Sequence, residues 1–168
     1  MKKSTIRSLA ALFLAAGVLI SPDVSAQTIE RPVKLKDLPK AVQSTAKEQS
    51  KGASVRMYLS KETADGTTFY QIALRVSGRD KYVLIDPTGV VVEVVEEIDV
   101  ASLPPAAMAE IEKHKGGGKI VLVESITKNG GIVAYQARVK SGKKLSEVKV
   151  SPAGQLMHLR TLVVTVAR

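Results

Sequence analysis

From Tyr70 to Ser77 the chain alternates: Tyr70, Ile72, Leu74 and Val76 fall on one side of an extended backbone, Gln71, Ala73, Arg75 and Ser77 on the other. The same rhythm returns later, with Tyr135, Ala137 and Val139 opposed to Gln136, Arg138 and Lys140. A period of two marks half-buried antiparallel strands, with one face on a core and the other free. The pattern predicts strands at 54–62, 67–77, 80–86 and 89–98, then at 119–128, 132–141, 145–151 and 154–166. Asp65-Gly66 and Asn129-Gly130 read as tight hairpin turns, and Asp86-Pro87-Thr88-Gly89 and Ser151-Pro152-Ala153-Gly154 as turns with proline preset at the second position. Two stretches have helical spacing instead: Leu38, Val42, Thr45 and Gln49 form one stripe, and Leu103, Ala107, Ile111 and His114 form another. Leu-Pro opens each helix, and glycine at Gly52 or in the run Gly116–Gly118 closes it.

Sliding the chain over itself by 65 residues aligns these signals without a gap. Leu38-Pro39 falls on Leu103-Pro104, Ala41 on Ala106, Gly52 on Gly117, Gly66 on Gly131, Tyr70-Gln71 on Tyr135-Gln136, Val83 on Val148, Pro87 on Pro152, and Gly89 on Gly154. The expected fold class is therefore α+β: two tandem units, each one helix followed by a four-stranded antiparallel meander sheet. The units span 38–102 and 103–168, after an N-terminal segment at 27–37. In the first unit the helix should bury Tyr70, Ile72, Leu74, Val83, Ile85, Val92 and Val94.

Residues 1–26 read as a secretory signal peptide, with Lys2, Lys3 and Arg7 ahead of an apolar run from Leu9 to Ile20 and cleavage after Ala26. That run has 12 residues, short of the roughly 20 that cross a bilayer, so no transmembrane anchor is expected after cleavage. The remaining chain carries 22 basic and 15 acidic residues, a net charge of +7. The charges form no block along the sequence; the excess favours anionic partners by long-range attraction. Cysteine is absent, so stability must come from burial without disulfides.

A leader, then units of about 65 residues in which Leu-Pro starts a helix and a Tyr-Gln strand and a Pro-x-Gly turn follow, resembles the PepSY-like family. Members are secreted, and their fold is similar to that of the β-lactamase inhibitory protein, BLIP. The resemblance implies an extended, concave sheet surface presented to a partner, and recognition or inhibition of envelope proteins. The inhibitor itself is stapled by disulfides, which this chain does not have, so the resemblance does not carry β-lactamase inhibition with it.

The residues offer little for catalysis. His114 and His158 are the only histidines, and neither has a carboxylate or second histidine at metal-ligand spacing. Gly116-Gly117-Gly118-Lys119 follows a helix and precedes a strand, the reverse of a phosphate loop. Glu93, Glu96, Glu97 and Asp99 read as solvated edge charges rather than a calcium site. No enzyme activity and no cofactor are expected. The free sheet face carries the functional expectation: Arg56, Tyr58, Arg75, Tyr82 and Leu84 in the first unit, and Arg138, Lys140, Lys149, His158 and Arg160 in the second. Tyr and Arg anchor protein interfaces because they bury much area while keeping polar reach. The expected function is a noncatalytic exported module that recognises or inhibits an envelope or secreted protein; the alternative is charge-driven binding of an anionic polymer or cell surface. The run Leu162–Val166, apolar on both faces, also suggests an edge-strand homodimer.

Overall fold

A computed structural model describes residues 28–162; the leader and the end of the C-terminal run lie outside the described residues. Nine strands and two helices follow in order: β1 (Ile29–Val33), α1 (Lys40–Gln49), β2 (Ser54–Glu62), β3 (Thr68–Val76), β4 (Arg79–Ile85), β5 (Val91–Glu97), α2 (Pro105–His114), β6 (Lys119–Lys128), β7 (Gly131–Ser141), β8 (Lys144–Val150) and β9 (Leu156–Leu162). Single 3-10 turns at Leu35–Asp37 and Val100–Ser102 lead into the two helices.

The expected pair of separate sheets does not form. All nine strands belong to one antiparallel sheet in the order β1-β2-β3-β4-β5-β6-β7-β8-β9. What joins the halves is the ladder from Val94↔Thr127 to Glu97↔Glu124 between β5 and β6. An isolated four-stranded sheet would leave two long edges with unpaired backbone groups, and pairing β5 with β6 removes one from each half. The segment 27–37 also has more structure than expected, since β1 adds an edge strand against β2. Pro32 is tolerated there because an edge strand need not donate on its outer side.

Both helices lie on the same face. Val42 and Ala46 of α1 are fully buried against Ile72, Leu74, Val83 and Ile85. Ala107 and Ile111 of α2 are buried against Val123, Ala137, Val139, Val148 and Val150. The register passes from Val83 through Val94 to Thr127, on the same side of β6 as Val123, so the two cores share one side of the sheet. Pro39 and Pro104 stand at the helix N-caps, and Gln43 ties the first turn of α1 to the incoming chain by donating from Nε2 to the Leu38 carbonyl at 2.8 Å.

Five register shifts interrupt the ladders among the described residues, and two of them overturn expected faces. Val55 pairs with Leu74 but Met57 with Ala73, which leaves Arg56 as the extra residue; Ile85 pairs with Val91 and Leu84 with Glu93, which leaves Val92 unpaired. Beyond each bulge every side chain changes face. Val91 rather than Val92 therefore packs on the first core, and Tyr58, expected on the free face, packs there too with Val33. The turns differ in kind as well. Asn129-Gly130 has positive φ at both residues, as expected, but at Asp65-Gly66 only the glycine does; the Asp65 carboxylate instead closes a wider loop by accepting from Thr63 Oγ1 at 2.6 Å and the Thr67 amide at 3.0 Å.

Candidate functional site: the uncovered sheet face

Among the described residues neither helix lies on the second face of the sheet. Strand alternation places Ala73, Arg75, Tyr82, Leu84, Gln136, Arg138, Lys140, Lys149, His158 and Arg160 there, all but Ala73 and Gln136 being residues expected to bind a partner on the free face. Arg56, at its bulge, also reaches this face: its guanidinium lies 4.0 Å from Asp80 Oδ1. Tyr58 is the exception, turned to the core by that same bulge.

Although no helix covers it, the middle of this face is dry. Ala73, Ile126 and Ala134 are 6%, 4% and 0% exposed, and they lie in one row that crosses the sheet from β3 through Tyr82 and Val95 to β7. Glu124 and Glu147 beside them are only 4% and 5% exposed. Side chains on the neighbouring strands shield them.

Charged groups are laid out in order along the adjoining row. Arg75 Nη1 meets Asp80 Oδ1 at 2.6 Å, and the Asp80 amide donates to Glu97 Oε2 at 3.1 Å. Glu97 stands opposite Glu124, Glu124 opposite Gln136, Gln136 opposite Lys149, and Lys149 opposite His158. One step along the strands, Arg138 faces Glu147, which Arg160 Nε holds at 3.0 Å.

Glu124 is held more loosely than its burial demands. Gln136 Nε2 donates to it at 3.4 Å, and Arg138 Nη2 lies 3.9 Å away. Burial pushes its carboxyl above the ordinary value, against the pull of Arg138. The Arg138 Nε–H is buried without a hydrogen-bond partner among the described residues, an unsatisfied donor of the kind native structures rarely keep. Burial likewise raises the Tyr82 phenol, with Asp80 adding to the effect.

The alternation reading missed Asp80, Glu97 and Glu124 on this face. Glu124 had a signal: it is the one charged residue in the apolar run Ile120–Ile126. The acidic cluster considered for calcium is dispersed, with Glu93 paired to Lys128, Glu96 to Lys81 and Asp99 to Arg79. Among the described residues no group of three or more His, Asp or Glu side chains is placed to hold a metal ion. His114 meets Glu110 at 3.1 Å within α2, on the opposite side of the sheet.

Neither a protein-family model nor a curated protein matches the chain. Solved structures do. A DUF2874 family protein from Bacteroides uniformis is 18% identical, with 76% of this chain and 92% of that one covered and a TM-score of 0.61. A BLIP-like protein from Bacteroides fragilis is 18% identical over 78% of this chain and 91% of that one, TM-score 0.56. A Bacteroides eggerthii protein inferred to be periplasmic is 14% identical over 75% and 90%, TM-score 0.62. At such identities the likeness concerns fold alone, and the fold is BLIP-like.

Proposed function

We propose that this chain is an exported, noncatalytic module that recognises a protein partner through the uncovered sheet face. The observation that carries the reading is the unsatisfied chemistry at the centre of that face: a buried Arg138 Nε–H with no acceptor among the described residues and a buried, loosely held Glu124, both close enough to Tyr82 to act on its phenol. The Arg138 side chain is 41% exposed, so a docked partner's acceptor can meet its guanidinium, and excluding water from such a pair strengthens it. The BLIP-like fold of the Bacteroides fragilis protein makes inhibition of an envelope enzyme a natural form of this recognition. Export rests on the basic, then apolar, N-terminal 26 residues and agrees with the periplasmic assignment of the Bacteroides eggerthii protein.

The same reading holds the chain to be PepSY-like and internally duplicated. The offset of 65 recurs in the packing: Gly89 abuts Ala41 and Gly154 abuts Ala106, and Leu38, Val42, Ala46, Ile72, Leu74, Val83 and Ile85 in one core answer Leu103, Ala107, Ile111, Ala137, Val139, Val148 and Val150 in the other. The copies have merged into one sheet.

The test is affinity capture from an envelope fraction at physiological salt, with the protein and its Tyr82→Ala/Arg138→Ala variant as baits. A protein retained by the first, lost by the second and kept by a Lys36→Ala/Lys47→Ala control on the helix side supports the reading. Equal retention by all three removes the sheet face from it.

A further inference from the structure

Along the sequence the positive charge is dispersed, but the topology gathers it. Lys119 at the start of β6 stands directly opposite Lys140 at the end of β7, and Lys143 and Lys144 follow in the turn that begins β8. All four are exposed, and none makes an ion pair with a described residue, whereas Lys113 and Lys115 nearby are held by Glu110 and Glu112. Like charges placed directly opposite on neighbouring strands destabilise a sheet, so the Lys119/Lys140 pair is an arrangement that folding alone disfavours. At this end of the two strands lies an open cleft of about 320 Å³, lined by Gly117, Lys119, Val121, Lys140, Ser141 and Gly142. Its shape depends on close packing: a side chain at Gly118 would come within 2.6 Å of Val139 and 2.9 Å of the Lys140 carbonyl.

We infer that this lysine-lined end of the sheet binds the phosphate groups of an anionic polymer. Ammonium groups bind phosphate as point charges, and four of them strung from the cleft to the hairpin tip suit a chain of repeated charges better than one small anion. A lipid surface fits less well, because Val121 is the one large apolar residue lining the cleft and interfacial anchoring needs a broader apolar face. The inference goes beyond the protein-binding reading: Lys140 shares the uncovered face with Arg138, but the site rests on the lysines at the end of the sheet and leaves Tyr82 and Arg138 untouched, so either reading can fail without the other.

Binding of fluorescently labelled long-chain polyphosphate, followed by anisotropy between about 50 and 200 mM salt, tests it. The protein should bind with an affinity that falls steeply with salt. Substituting glutamine at Lys119, Lys140, Lys143 and Lys144 should cost about tenfold or more at the lower salt and reduce the log–log salt slope by about 3. A control with glutamine at Lys34, Lys36, Lys40 and Lys47, which removes the same charge around α1, should keep most of the affinity. Thermal unfolding reads the fold separately, and loss of the Lys119/Lys140 repulsion should leave the first variant at least as stable as the parent. Equal weakening by the two variants would reduce the effect to diffuse charge and overturn the site. Inorganic phosphate binding as tightly as the polymer, or vesicles with phosphatidylglycerol competing at lower phosphate concentration than the polymer, would overturn the assigned ligand.

Discussion

At the scale of single residues, Glu124 shows how an unusual environment becomes a measurable property. Its carboxyl is pushed above the ordinary value of 4.5 in the folded chain by burial, so the folded state holds its proton more tightly than the unfolded one. Stability from this group is therefore full below the ordinary value and is lost as pH rises through the raised one. Glu124→Gln removes the titration: urea midpoints of the variant and the parent should diverge, in favour of the variant, as pH is raised from about 4 to about 7. Parallel curves would mean that Glu124 ionises alike in both states. Residue-level detail was only partly legible in the sequence. Arg75, Tyr82, Leu84 and Arg138 follow from strict alternation, whereas Tyr58 and Val92 do not, because the bulges at Arg56 and Val92 depend on cross-strand fit that no local pattern encodes.

Elements were the most legible scale, because each has its own period and punctuation. The strand expected at 54–62 is β2, the one at 119–128 is β6, and both helices begin just after Leu-Pro. Only β1 escaped, since Ile29–Val33 is short and contains a proline. How a helix docks on its sheet turns on glycine. Gly154 has a φ of +80°, and a Cβ there would lie 2.5 Å from the Ala106 carbonyl oxygen in α2; Gly52 has a φ of +73° with open space around it. Gly52→Ala should then cost only the left-handed backbone term, about 1–2 kcal/mol. Gly154→Ala adds a backbone clash that α2 must move to relieve, and it should cost about 1–3 kcal/mol more in chemical denaturation. Similar losses at both sites would show that the helix yields freely and that the close approach does not fix its position.

For the whole molecule, the sequence pointed to two sheets because nothing within either half announces the pairing of β5 with β6: Val94–Glu97 and Glu124–Thr127 read equally well as outer edges. Merging changes the expected thermodynamics. Two cores on separate sheets could melt apart, but here each core rests on strands that continue, hydrogen bond by hydrogen bond, into the other's sheet. Losing either half would bare a new edge and part of the shared face, including the Glu97–Glu124 step that links the charged row. Ile72 in the first core and Ile111 in the second are both fully buried, so truncation of either to alanine should cost about 2–5 kcal/mol. If the sheet behaves as one cooperative unit, each variant lowers the midpoint of the same single transition, whether followed by calorimetry or by tyrosine fluorescence. Two resolved transitions, with Ile72→Ala moving one and Ile111→Ala the other, would show that the β5–β6 ladder joins the halves without coupling them.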